Sequence, residues 1–354
     1  MAAPITLSDV ERLAAEQLDP DWYEYFAGGS GDERTLVDNV AAFARRRLRQ
    51  RVLLGLADAS AATTLLGHRL AAPLVVAPVA YQRMAHRDAE QAMTRAAGAA
   101  GVAMCLSTFA TASPAEVASA APDAVRFLQV YVFSDRGITD ELIAQAIDAG
   151  FSALFLTVDL AALGMRDRER RINWVFPDED LPAVRYAVSR GVAVSGLENL
   201  IDPALDWDYL ERLCSSVAVP VVVKGVLEPD DARRSAECGA AGIVVSNHGG
   251  RQLDGAPAAI DALPAVVDAV GDRLEVLVDG GVRRGADVLV ALAHGARGVL
   301  MGRVPLWGLA AGGEEGARTV LELVREELEI SLHLTGCRTV DEVDASVVAS
   351  IGSP

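Results

Sequence analysis

The sequence is almost without lysine. Of its 32 basic residues 31 are arginine, and the single lysine, Lys224, sits in VVVKGV (221–226) at the end of an apolar run. Other scarcities exclude whole classes of function. The formal net charge is −17, whereas a nucleic-acid binder needs a basic face for phosphates, and no basic cluster here lacks acidic neighbours. The densest, RRRLRQR at 45–51, reads as a solvated surface stretch after a helix. The four cysteines, Cys105, Cys214, Cys238 and Cys337, lie far apart with no CxxC pair and no zinc spacing. They read as buried thiols in a reducing compartment, and no metal site is expected. No apolar run reaches about 18 residues without a charge or a glycine turn. The start, MAAPITLSDVERLAAEQL, lacks the charged and apolar regions of a signal peptide. The expectation is a cytoplasmic protein without membrane contact.

What is present is a repeated unit. With 51% hydrophobic and 23% charged residues, the chain can bury a large core, and 354 residues suit two average domains or one large α/β barrel. From residue 73 onward short apolar runs alternate with amphipathic helical segments. The runs are LVVAPVA (74–80), VAMCLS (102–107), VRFLQVY (125–131), ALFLTVD (153–159), VPVVVKG (219–225), AGIVVSN (241–247), EVLVDGG (275–281) and GVLMGR (298–303). Near-continuous apolar strands separated by helices imply a parallel sheet covered on both faces. Eight such units are the count of a closed (β/α)8 TIM barrel. A doubly wound sheet would carry a glycine-rich turn after its first strand, and LVVAPVAYQ has none. The cluster AGGSGDE (27–33) follows the helix-like WYEYF and reads as a helix cap and turn. The expected layout is one domain over 1–354: a helical extension (1–50), the barrel (73–310), an irregular charged segment at 166–206 read as a lid after strand 4, and a helical C-terminal segment (313–354).

In a barrel the C-terminal ends of the strands face one pocket. Here those ends are Ala80, Ser107, Gln129 with Tyr131, Thr157 with Asp159, Lys224, Ser246 with His248, Asp279, and Gly302 with Arg303. So mixed a polar set at the ends of apolar strands reads as a site rather than as packing. DGGVRRG (279–285) and MGR (301–303) place glycines and arginines after strands 7 and 8, where barrels often hold a phosphate; Arg283 or Arg303 can fork to its oxygens. In SNHGGRQLDG (246–255) a histidine suited to proton transfer is followed three residues on by an arginine able to hold a carboxylate. Of the other histidines, His68 lies in a turn, His294 near a helix end that favours a cation, His333 in a helical pattern, and His86 after strand 1. Arg166, nearest the end of strand 4, is the arginine of its segment that can reach inward.

These motifs resemble the FMN-dependent 2-hydroxy-acid oxidases and dehydrogenases, the family of glycolate oxidase, lactate oxidase, mandelate dehydrogenase and hydroxymandelate oxidase. The likeness runs from YEYFAGGSGDE through APVAYQRMAH, LQVY, LTVD, VVVKGV and SNHGGRQLDG to DGGVRRG, MGR and LTGCR. The resemblance implies oxidation of an (S)-2-hydroxy acid to the 2-oxo acid with FMN as cofactor. It implies His248 as the catalytic base and Asp159 as its support. It further implies Arg166 and Arg251 as the clamp on the substrate carboxylate, with Tyr25 and Tyr131 as substrate hydrogen-bond partners. The FMN site it implies takes Pro78, Val79 and Ala80 by backbone, then Ser107, Gln129, Thr157, Lys224 and Ser246 around ring and ribityl chain. Asp279, Gly281, Arg283, Gly302 and Arg303 would hold ribityl and phosphate. Lys224 would present a compact ammonium to the flavin ring, which a planar guanidinium fits poorly.

Some positions depart from the family pattern. Leu160 and Ala161 stand where a proline often follows the strand-4 aspartate, and Phe109 replaces the tryptophan of plant glycolate oxidase in the pocket wall. The chain ends in IGSP without the peroxisomal tail of the plant enzyme. Ala80 resembles the oxidases, which favours dioxygen as acceptor and hydrogen peroxide as product over a dehydrogenase with another acceptor. The family likeness also implies a homo-oligomer, tetramer or octamer. Two other classes are a Schiff-base aldolase barrel acting through Lys224 and a non-catalytic flavin-binding protein; the latter has no reason to keep His248, Arg251 and Arg166 together.

Overall fold

The computed structural model describes residues 6–172, 177–193 and 196–349. Eight parallel strands close into a barrel: β1 (Leu74–Val76), β2 (Ala103–Leu106), β3 (Arg126–Val130), β4 (Leu154–Thr157), β5 (Val221–Val226), β6 (Gly242–Val245), β7 (Glu275–Val278) and β8 (Gly298–Met301). Each falls within one of the eight apolar runs, save that β5 extends one residue beyond its run, to Val226. Side chains alternate between the faces of a strand, and one set points inward: Val75, Cys105, Phe127, Phe155, Val222, Val244, Leu277 and Leu300 form a buried cluster. The next inward position, two residues on, is Ala77, Ser107, Gln129, Thr157, Lys224, Ser246, Asp279 and Gly302. The polar strand ends are thus the top layer of the barrel's own interior.

A hairpin that sequence reading missed closes the other end. Thr63–Leu65 pairs antiparallel with His68–Leu70, and Leu65, Leu66 and Leu70 join the interior cluster. Its tight turn has positive φ at Leu66 and Gly67, as two-residue hairpin turns require. The Glu275 carboxylate anchors it by accepting from the Leu66 N–H at 3.0 Å.

The N-terminal extension is helical as expected: α1 (Leu7–Gln17), α2 (Pro20–Ala27) and α3 (Arg34–Ala44). Thr6 and Asp9 form a capping box on α1, and Asp19 caps α2 with Pro20 at its first position. Gly28 is the C-cap of α2, so AGGSGDE is the cap and turn its residues suggest.

Elsewhere the expectations need correction. The last helix runs from Arg303 to Thr335, 33 residues with a break at Gly312 and Gly313. The chain then turns back, and Val348–Ala349 pairs with Arg47–Leu48; the C-terminal segment is therefore not wholly helical. RRRLRQR follows α3 as a surface stretch, exposed at all positions but Arg46 and Leu48; Arg46 donates to the Ala42 and Ile260 carbonyls and pairs with Asp261 at 2.7 Å. His294 caps a helix, but burial pushes its pKa down and Arg46 donates to its Nε2, so it is a neutral acceptor rather than a cation. Cys105 and Cys337 are buried, Cys214 and Cys238 only half-buried, and all four are free thiols.

The segment between β4 and β5 is more ordered than its sequence suggests. It carries helices at Asp167–Arg171 and Pro182–Ser189 and docks on β3's extension through Ser134 N to Leu200 O and Asp202 N to Val132 O. Residues 173–176 and 194–195 of the expected lid, and the terminal IGSP, lie outside the described residues. No helix among the described residues is long and apolar enough to cross a membrane.

At Gly281 the chain passes α3 too closely for any side chain. Its φ is +89°, and an added Cβ would collide with the Asn39 carbonyl. Gly281→Ala should therefore cost more than the roughly 1–2 kcal/mol of left-handed strain alone. Gly255→Ala, at φ +93° with open space around it, isolates that strain; thermal unfolding should place Gly281→Ala clearly below it, and equal losses would refute the clash.

Candidate active site

Lys224 enters the pocket as the inward position after Val222, and β5 breaks register just beyond it. Pairing with β6 slips between Lys224 and Val226, at Gly225, where φ is +110° and a Cβ would lie 2.6 Å from that of Asp159. The bulge lets two strand ends crowd together. Lys224 Nζ lies 2.9 Å from Asp279 Oδ2 and 3.1 Å from Ser246 Oγ. Burial works against its charge, but Asp279 and Asp159 outweigh it and hold the pKa above the ordinary value. Lys224 is therefore a fixed ammonium, which argues against an amine nucleophile. It is also not free to aim solely at a cofactor, since two of its three protons are engaged.

His248 follows β6 with φ +58°. Its Nδ1 lies 2.9 Å from Asp159 Oδ1, its Nε2 3.4 Å from the Tyr131 hydroxyl, and its N–H donates to Ser246 Oγ at 3.0 Å. Burial depresses the histidine pKa; Asp159 opposes this, while Lys224 and Arg166 add to it. Asp159 is also buried, but His248 and Lys224 keep its pKa below the usual carboxylate range. The consistent state is an ionised Asp159 accepting from Nδ1–H of a neutral imidazole, with the Nε2 lone pair available as a base. Asp159 and Ser246 do not line the pocket; they stand behind His248 and Lys224.

The two expected clamp arginines share one wall. Arg251 lies over the Tyr25 ring at 4.9 Å and donates to the Tyr25 and Gly28 carbonyls at 2.7 and 2.9 Å. Arg166 donates through Nε to the Arg251 carbonyl at 3.3 Å. Between them sits Glu169, 3.0 Å from Arg251 and 3.6 Å from Arg166. Sequence reading missed it, although its place three residues after Arg166 on a short helix was a usable signal. The departure at Leu160–Ala161 leaves the path to Arg166 well held: Gln252 Nε2 donates to Asp159 O at 2.7 Å and Ala162 O at 2.9 Å, and its Oε1 accepts from Gly164 N. Gln252 too was missed.

The remaining expected residues also face this cavity. Gln129 accepts from Thr108 N and Ser107 Oγ and donates to Thr157 Oγ1. Phe109 stacks on Tyr131 with centroids 5.3 Å apart, and Pro78, Val79, Ala80, Gly281 and Gly302 contribute wall. Arg283 and Arg303 line the same end, and among the described residues neither forms an ion pair. Arg283 donates to its neighbour's carbonyl, Val282 O; Arg303 donates to the Phe26, Gly28 and Gly249 carbonyls. Burial, with Arg251 and Arg283 nearby, pushes the Arg303 pKa down to about 9. Two half-buried guanidiniums with no carboxylate partner among the described residues, beside glycines, form a site for a strong anion such as phosphate. Asp279 Oδ1 is buried without a hydrogen-bond partner among the described residues, an acceptor suited to a hydroxyl such as a ribityl chain presents. These residues fit FMN.

Residues 14–350 match the family described as FMN-dependent dehydrogenase. The chain belongs to that family. It is 44% identical to the L-lactate oxidase of Nostoc sp. over 98% of both chains. It is 42% identical to the 2-hydroxyacid oxidase 1 of Homo sapiens over 97% of this chain and 96% of that one. A mandelate oxidase solved with (S)-2-phenylpropionate superposes with a TM-score of 0.89 at 39% identity, over 98% of both chains. FMN is accordingly the cofactor of this barrel.

Arg283→Met tests the phosphate end without disturbing other side chains. Losing a charge-assisted hydrogen bond costs about 1.5–3 kcal/mol, so FMN should bind ten- to hundredfold more weakly. Absorbance near the flavin band per mole of protein after gel filtration reads the loss, and full FMN retention would remove Arg283 from the phosphate site.

Proposed function

We propose that the protein oxidises an (S)-2-hydroxy acid to the 2-oxo acid and passes the two electrons to dioxygen, giving hydrogen peroxide. The observation that carries this reading is a neutral His248 backed by an ionised Asp159, with Nε2 open to a pocket that also holds Arg166, Arg251, Tyr25 and Tyr131. FMN supplies the two-electron acceptor when bound. The substrate carboxylate lies against Arg166 and Arg251, whose charge Glu169 only partly offsets, and its hydroxyl faces His248 and Tyr131. His248 Nε2 takes the hydroxyl proton, and Asp159 stabilises the imidazolium that results. Lys224, held protonated by Asp279, would supply a fixed cation for charge that develops on bound FMN. Fixed cations in a buried site need no reorganisation as charge moves, and the two-point clamp sets orientation.

The relatives' names support dioxygen as acceptor, since they are oxidases, and Ala80 agrees with them. Against the clamp stand Tyr81, Phe109, Leu160, Leu163, Leu197 and Ile201, a wall that favours an apolar substituent on the substrate carbon. The free thiols support a reducing, cytoplasmic setting. Exposed Leu53, Leu54, Ile330 and Leu334, brought together where Arg51 N donates to Leu334 O, support assembly into a homo-oligomer.

His248→Ala should keep FMN yet lose about 10²- to 10⁴-fold in turnover; native-rate flavin bleaching by substrate in that variant would remove His248 as the base. Because burial holds the His248 pKa below 6.5, the base stays neutral as pH falls through 7. The acid limb of kcat/KM should therefore have its midpoint below pH 6.5, and a midpoint above 7 would contradict the geometry.

Substrate choice is read by anaerobic flavin bleaching with glycolate, lactate, 2-hydroxyhexanoate and mandelate, followed by admission of air. Each buried methylene contributes about 0.8 kcal/mol, so kcat/KM should rise about fourfold per carbon from glycolate upward. A preference for glycolate would overturn the apolar-wall reading, and sluggish reoxidation in air would overturn dioxygen as acceptor.

A further inference from the structure

His248 sits in a backbone that should not hold itself. His248, Gly249 and Gly250 are successively left-handed, with φ of +58°, +63° and +77°. For a non-glycine residue that conformation costs about 1–2 kcal/mol and persists only where the surroundings over-determine it. Part of what lies around this loop comes from outside the barrel, from α3.

Asn39 of α3 and Asn247, the residue before His248, exchange amide hydrogen bonds. Asn39 Nδ2 donates to Asn247 Oδ1 at 2.9 Å, and Asn247 Nδ2 donates to Asn39 Oδ1 at 2.8 Å. Both side chains are buried, 1% and 5% exposed. The pair reaches further into the loop: Asn247 Oδ1 also accepts from Gly250 N at 3.1 Å, and its Nδ2 donates to Pro257 O at 2.9 Å. Asn39 is also the residue against which Gly280 and Gly281 pack beside Asp279, while Gly250 lies against Leu36, where a Cβ would approach its backbone to 2.7 Å. One helical turn of the extension therefore abuts the loop bearing the base and the loop at the phosphate end.

We infer that Asn39 is a positioning residue for the base: through its amide pair with Asn247 it fixes the left-handed loop that aims His248 Nε2 into the pocket. This rests on His248 being the base. An amide is suited to the task because it donates and accepts at once, so each asparagine satisfies the other with no net charge buried. Loss of the Asn39 amide leaves Asn247 with one acceptor and one donor short in a buried setting. The loop can then relax toward ordinary φ and carry the imidazole out of line.

The test uses the FMN-loaded enzyme with the best substrate of the bleaching panel. Asn39→Ala should lower kcat about ten- to hundredfold, the scale of a roughly 1 Å misplacement, with KM changed less than about threefold and FMN per chain unchanged. Asn247→Ala should do the same, and the double variant should be no worse than either single, because the two act as a unit. Asn39→Asp keeps the shape but lacks the Nδ2 donor; it is measured in parallel and carries the test should Asn39→Ala not fold. A kcat within twofold of the parent in both Asn39 variants overturns the inference. So does a loss of kcat that tracks loss of FMN, or single effects that multiply in the double variant. If His248→Ala itself retains turnover, the failure lies with the base assignment instead.

Discussion

Buried positive charge that has to be matched is the constraint on which the top of this barrel depends. Lys224, Arg166, Arg251, Arg283 and Arg303 face one cavity, and the carboxylates set among or directly behind them are Asp159, Glu169 and Asp279. Five cations against three anions leave two charges over in a region where unpaired charge is expensive. The carboxylates are placed unevenly. Asp279 holds Lys224, Glu169 tempers the clamp pair, and Asp159 faces the imidazole, so the surplus falls on the guanidiniums at the phosphate end and on the clamp. Main-chain carbonyls from α2, its C-cap and the loop after β6 keep Arg251 and Arg303 in place. The extension is thereby part of the site's electrostatics, and a substrate carboxylate and a cofactor phosphate are the anions the arrangement lacks.

The fold was largely legible because its signal is local. A strand covered on both faces must be apolar throughout, so each of the eight runs announces itself, and the polar residue that ends it stands out. The period of two then explains why those ends form one layer: Phe127 and Gln129, or Val222 and Lys224, are successive inward positions of the same strand. The hairpin at 63–70 escaped because its strands are three residues each and their alternation is too short to read. The pairing of 47–48 with 348–349 escaped because nothing in either dipeptide points to a partner three hundred residues away.

Within the site, what could be read were residues whose type is unusual for their place: a histidine among glycines, a lysine at a strand end, arginines after glycines. Gln252 and Asn39 are ordinary on loops and helices, and only contact reveals their work. The resemblance to a family supplied pairings that spacing could not, such as Asp159 with His248. It did not supply the partners that Arg251 and Arg303 find in the main chain, since carbonyl contacts leave no mark on residue type.

The hairpin's leucines fill the floor of the barrel, and that makes the interior one-ended. The pocket lies at the opposite end, and Leu163, Leu197 and Ile201 of the segment between β4 and β5 form part of its wall. In a pocket closed at its floor, whatever lies nearer the top must leave or shift before anything beneath it can be exchanged from that side. The residues of that segment, Leu163 and Ile201 among them, are therefore in a position to govern the sequence of arrivals and departures as much as the fit of any single molecule.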